Sequence, residues 1–169
     1  LLKNEIIGIY GESGSGKSTL LNILSLLLKP IDCEIHIDEK KFFGKEDFRR
    51  FQNLISFVSQ DTFLLEDTIK NNITFGSEGE INDKKLNEAL EFARINNFLV
   101  ELPNGLNTKI GLNSKQISSG QKQRIALARL YYNSREILIF DEATNALDET
   151  NENIIINNIL NFKDKKTVI

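Results

Sequence analysis

Residues 11–18 read Gly-Glu-Ser-Gly-Ser-Gly-Lys-Ser, and the run Glu5-Ile6-Ile7-Gly8-Ile9-Tyr10 leads straight into them. The octapeptide fits G-x-x-x-x-G-K-[ST], and its surroundings are those the pattern requires: a β-branched run before it and an apolar helical stretch after it. Gly11, Gly14 and Gly16 let backbone N–H groups turn inward, with Ser13 and Ser15 in the same cradle. The start of the following helix adds partial positive charge. Such a cradle takes a phosphate. Lys17 can reach the β and γ phosphates of a nucleotide, the Ser18 hydroxyl can bind Mg²⁺, and Thr19 can meet another phosphate oxygen.

The rest of the chain alternates between strand and helix patterns. A helix is expected from about residue 18 to 28, stopped by Pro30, and strands over 34–37 and 54–58, with Asp38-Glu39 turning the chain. From about 61 to 134 the apolar spacing is mostly helical. Within it, 83–94 carries Leu86, Leu90 and Ala93 on one stripe, with Asp83 as cap. Pro103-Asn104-Gly105 marks a loop, and Ser118 or Ser119 caps a helix running to about Tyr132. Ile137-Leu138-Ile139-Phe140 is an apolar strand, a polar helix covers about 147–161, and Thr167-Val168-Ile169 is a strand. This order implies an α/β fold with a mostly parallel sheet, divided by an inserted helical segment. The expected division is a core of 1–60 and 135–169 with a helical part of about 61–134, together one domain.

Asp141-Glu142 follows the apolar strand directly. In an open parallel sheet the carboxyl ends of the strands share one edge, where ligands bind. The acids therefore lie at the same edge as the phosphate loop. Asp141 is placed to hold Mg²⁺ and Glu142 to polarise an attacking water as general base. Composition narrows the remaining choices. Twenty-one Lys and Arg against 24 Asp and Glu give a net charge of −3, which argues against nucleic acid bound by bulk charge. The single cysteine, Cys33, cannot form an intrachain disulfide, which fits a reducing compartment, and His36 alone cannot complete a zinc site with it. The longest apolar stretch, 20–28, contains Asn22 and Ser25 and reads as a buried helix, well short of the ~18 apolar residues of a membrane span.

Further along, Ile117-Ser118-Ser119-Gly120-Gln121-Lys122-Gln123-Arg124 resembles the Leu-Ser-Gly-Gly-Gln signature of the nucleotide-binding domains of ATP-binding-cassette (ABC) transporters. Ile125-Ala126-Leu127-Ala128-Arg129 continues that pattern. Val58-Ser59-Gln60-Asp61 resembles the family's Q-loop and Asn145-Ala146-Leu147-Asp148 its D-loop. The resemblance spans essentially the whole chain, with all five motifs in order. It implies a P-loop NTPase (RecA-like) fold and ATP with Mg²⁺ as ligands. Ser18, Gln60 and Asp141 would serve the metal; Lys17, Gln60 and Glu142 would serve catalysis. Ser118, Gly120, Gln121 and Asp148 would complete the site of a second nucleotide-binding domain in a head-to-tail dimer. Phe63-Leu64-Leu65-Glu66-Asp67-Thr68-Ile69-Lys70-Asn71-Asn72-Ile73, Phe75-Gly76 and Leu102-Pro103-Asn104-Gly105-Leu106-Asn107-Thr108-Lys109-Ile110-Gly111 resemble exporters, which implies a transmembrane domain as partner.

Together these features imply the ATP-hydrolysing motor of a bacterial exporter at the cytoplasmic face of the inner membrane, moving or flipping a substrate across it. A soluble ABC-type ATPase of DNA repair or chromosome maintenance is the alternative, but neither a coiled-coil insertion nor a basic surface is present. A GTPase would carry N-K-x-D, which is absent, and a nucleotide-binding regulator without turnover often loses the acid at Glu142. Ser119 replaces the first signature glycine. The chain opens on Leu1-Leu2-Lys3 without an initiating methionine and stops on Thr167-Val168-Ile169. The expectation is a fragment truncated at both ends. The family's adenine-stacking aromatic would lie upstream and its switch histidine downstream, so these 169 residues alone should bind ATP weakly and hydrolyse it negligibly.

Overall fold

The computed structural model describes residues 2–28, 36–37, 40–41, 44–111 and 117–169. Pro30, Cys33, Glu34 and the Asp38-Glu39 turn lie outside the described residues. In chain order the elements are α1 (Lys17–Leu24), β1 (His36–Ile37), β2 (Lys40–Lys41), α2 (Gly44–Gln52), β3 (Ile55–Val58), β4 (Asp67–Thr68) and α3 (Ile69–Thr74). Then follow α4 (Asp83–Phe92), α5 (Asn96–Leu99), a 3₁₀ turn (Gly105–Asn107), β5 (Lys109–Ile110), α6 (Ser119–Asn133), β6 (Ile137–Phe140), α7 (Glu149–Leu160) and β7 (Thr167–Val168).

The sheet beside the site is parallel. β3 pairs with β6 from Ile55 opposite Ile137 to Val58 opposite Phe140. β6 pairs in turn with β7, Ile137 opposite Thr167 and Leu138 opposite Val168. Ile6 extends the sheet by a parallel bridge to Val168, fastened by Ile7 N–H to the Val168 carbonyl and Val168 N–H to the Glu5 carbonyl, both 2.8 Å. All four stretches therefore point their carboxyl ends to one edge, as the alternating strand and helix patterns require.

α6 carries more buried residues than any other described helix. Ile125, Ala126, Leu127, Ala128, Leu130 and Tyr132 are buried along it, and it packs on α3, α4 and β3. Ile69 and Ile73 of α3 and Leu86, Ala89 and Leu90 of α4 close the same core. The α4 stripe arises from its helical period: residues three and four apart share a face. A second, smaller core of Leu21, Ile139 and Ile169 lies between α1 and the sheet.

Several expected boundaries move. The β-branched run 5–10, which reads as a buried parallel strand, pairs only around Ile6, and Tyr10 is 95% exposed. The helix expected to reach residue 28 ends at Leu24, because Leu26 adopts a left-handed backbone (φ 58°) and the N–H groups of Leu27 and Leu28 both turn back to the Asn22 carbonyl. Leu27 and Leu28 beyond that end are exposed, as is Leu20 on the outer face of α1, so only Leu21 and Ser25 of the stretch are buried. Asn82, not Asp83, caps α4, its side chain accepting from Lys85 N–H. The stretch 61–134, expected to be mostly helical, carries α3 to α6 and in addition the short antiparallel pair β4 and β5.

Candidate functional site

The sheet edge gathers residues far apart in the chain. Asp141 follows β6 directly and its N–H donates to the Val58 carbonyl (2.9 Å), so the acid is held by the adjacent strand. Its side chain is buried, and Oδ1 accepts from the Ser18 hydroxyl at 3.1 Å. The phosphate loop and the acidic strand end thus meet across 123 residues of sequence. Lys17, at the start of α1, donates from Nζ to the carbonyls of Gly11 (2.9 Å) and Glu12 (3.0 Å), folding its ammonium over the loop. Gly16 precedes it with φ 92°, a conformation glycine enters freely, and no side chain caps α1. Gly14 is likewise left-handed (φ 81°). Tyr10, Lys17, Asp141 and Glu142 line one cleft.

Glu142 is exposed and has a left-handed backbone (φ 51°), unusual for a residue with a Cβ. Its Oε2 accepts from Gln60 Nε2 (3.1 Å) and from Asn145 Nδ2 (2.8 Å). Gln60, two residues beyond β3, thereby meets an acid 82 residues away. A carboxylate held by two amide donors, at the edge that holds the phosphate loop, is placed to accept a proton from water. Ser18 and Asp141 offer two hard oxygen donors side by side, the chemistry Mg²⁺ prefers when one or two protein groups and phosphates complete its shell.

The other expected group stands at the start of α6. Ser118 Oγ accepts from Gln121 N–H (3.2 Å) while Gln121 Oε1 accepts from Ser118 N–H (2.9 Å), a closed capping box. Gly120 is required by close approach, because a Cβ there would stand 2.7 Å from the Ala146 carbonyl oxygen. Among the described residues, no hydrogen bond joins Ser118 or Gln121 to the phosphate loop. Asp148 caps α7, accepting from Asn151 N–H (3.0 Å) and Asn151 Nδ2 (2.5 Å). Those bonds, the side-chain one first, hold its carboxyl below the ordinary range.

Within the single chain, then, the loop, Gln60, Asp141 and Glu142 come together, whereas Ser118, Gly120, Gln121 and Asp148 form a separate surface joined to it through the 142–148 loop. Residues 1–145 match the family described as ABC transporter. The chain belongs to the ABC transporter family. An ATP-dependent lipid A-core flippase of Cupriavidus pinatubonensis is 42% identical over 150 residues, covering 88% of this chain and 25% of the relative. A multidrug resistance ABC transporter ATP-binding and permease protein of Lactococcus lactis is 38% identical over 152 residues, 90% of this chain and 26% of that protein. The structure of a bacterial Atm1-family ABC exporter with ATP bound superposes with a TM-score of 0.84 at 32% identity, covering 94% of this chain and 28% of that one. The chain thus spans about a quarter of the length of these ABC relatives. No helix among its described residues is long and apolar enough to cross a membrane.

Two residues bonded to Glu142 escaped sequence reasoning. Asn145 was legible only as part of the D-loop pattern, though its amide holds the Glu142 carboxylate. Gln123 reads as one more polar residue after the signature, yet its side chain is buried and bonded to the Glu142 loop. The available sign was a glutamine at the edge of an otherwise apolar buried stripe.

Proposed function

We propose that this chain is the ATP-binding and ATP-hydrolysing motor segment of a bacterial exporter. It works at the cytoplasmic face of the inner membrane, coupled to the transmembrane domain of the same transporter. The observation that carries the reading is the meeting of three strand ends at one edge: Ser18 bonded to Asp141, and Gln60 bonded to Glu142. Lys17 and the backbone of Gly11, Gly14 and Gly16, with Ser13, Ser15 and Thr19, bind the phosphates of ATP. Ser18, Asp141 and Gln60 would hold Mg²⁺, which would supply positive charge to offset that of the phosphates. Glu142 accepts a proton from the attacking water at its carboxylate, while Gln60 orients that water and the carboxylate together. Residues 1–60 and 135–169 form the nucleotide core and about 61–134 the helical part.

Ser118, Gly120 and Gln121 act on the nucleotide of a second copy or a homologous domain, head to tail, with Asp148 at the same interface. The Ser118 hydroxyl supports this. Its oxygen is used as a cap acceptor, which leaves its proton to donate to an anion. The relatives include a lipid A-core flippase and a multidrug resistance transporter, which supports export or flipping of a substrate across the membrane. The test is ATP turnover and substrate movement by the intact transporter carrying this segment, reconstituted in vesicles. Turnover that is independent of Glu142 overturns the assignment.

A further inference from the structure

Gln123 lies on α6 beside buried apolar residues and is itself only 4% exposed. A buried carboxamide is costly unless both its donor and its acceptor find partners. Gln123 finds both in one loop. Nε2 donates to the Glu142 carbonyl (3.1 Å), and Oε1 accepts from Ala146 N–H (3.0 Å). The amide thus grips both ends of residues 142–146. The first end is the left-handed residue, Glu142 (φ 51°), whose carboxylate is held on its other side by Gln60 and Asn145. A left-handed glutamate persists only where its surroundings hold it there. Near the second end, the α6 backbone at Gly120 approaches the loop so closely that a Cβ there would stand 2.7 Å from the Ala146 carbonyl oxygen.

We propose that Gln123 is a positioning residue that locks Glu142 in its left-handed backbone conformation and ties the aim of its carboxylate to the start of α6. Movement of the Ser118 end is then passed to the sheet edge through one side chain. The inference rests on the reading of Glu142 as the base in ATP hydrolysis.

The test uses the intact transporter with Gln123→Met, which keeps the volume and drops both bonds, and Gln123→Glu, which keeps the acceptor for Ala146 N–H and loses the donor for the Glu142 carbonyl. A small misplacement of a reacting group costs up to about 100-fold. Both variants are therefore expected to lose about 10- to 100-fold in kcat, with KM for ATP changed less than about twofold. Hydrogen exchange over residues 142–148 is expected to quicken in Gln123→Met while residues 137–140 stay protected. Unchanged exchange at 142–148, or kcat within twofold of the parent in both variants, overturns the proposal. So does faster exchange across α6 and β6 alike with a raised KM, which marks a packing defect. Glu142→Gln is the control: if it turns over ATP like the parent, the reading of Glu142 fails, and the exchange experiment still decides whether Gln123 holds the loop.

Discussion

α1 and α6 both begin at residues assigned to phosphate, and they begin differently. α1 starts behind Gly16, left-handed and without a side-chain cap, so no side chain competes for its leading N–H groups. α6 starts at Ser118 inside a reciprocal capping box, which partners the N–H groups of Ser118 and Gln121. The uncapped start is built to take an anion directly through backbone. The capped start already spends its hydroxyl oxygen on Gln121 N–H and offers a hydroxyl proton and an exposed face. The packing beneath them differs in the same sense. α1 rests on the small core of Leu21, Ile139 and Ile169, whereas α6 crosses the large one. Under the proposed function, the first helix start receives the chain's own nucleotide and the second faces a nucleotide presented from outside.

The sharpest division between the two ends runs through Glu142, which touches Gln60 on the phosphate side and Gln123 on the α6 side. Glu142→Gln keeps the shape but loses the proton acceptor, so steady-state ATP turnover by the intact transporter is expected to fall about 10²–10⁴-fold. ATP binding measured by calorimetry is expected to survive. A smaller effect follows at the α1 end. Lys17→Ala removes a charged donor and is expected to weaken Mg-ATP binding by about 1.5–3 kcal/mol. In the same titration Ser118→Ala is expected to leave binding to a single chain unchanged. If the two variants weaken binding equally, the comparison of the two helix starts is wrong.

At the α6 end the expected losses are of stability. Ser118→Ala removes the cap and is expected to cost about 1 kcal/mol. Gly120→Ala forces a Cβ against the Ala146 carbonyl and is expected to cost about 1–3 kcal/mol, read as a shift in the denaturant midpoint. The smallest effect belongs to Asp148. Its carboxyl is held below the ordinary range by Asn151, so its stabilisation of α7 is complete above about pH 3.9 and fades as pH falls through the lower folded value. Thermal melts of the parent and Asp148→Asn are expected to differ at neutral pH and to converge only as the pH falls through the depressed folded value.

Contiguous features were legible from sequence because their physics is local. The phosphate loop needs only glycines, a lysine and a hydroxyl in one turn, and Ser118 with Gln121 closes its box within a single helical turn. The apolar run 137–140 fixed both the strand and the position of Asp141 and Glu142 at its end. Long-range pairing was not legible. No local period announces that Asp67–Thr68 pairs with Lys109–Ile110, or that Leu26 turns left-handed and ends α1 early. The left-handed backbone of Glu142, its grip by Gln60 and Asn145, and the bond from Gln123 all arise where the sheet edge meets the start of α6. A residue sequence specifies which groups can donate and accept. Which donor reaches Glu142 is decided only when β3, β6 and α6 pack, since that packing sets the distance between residues up to 82 positions apart.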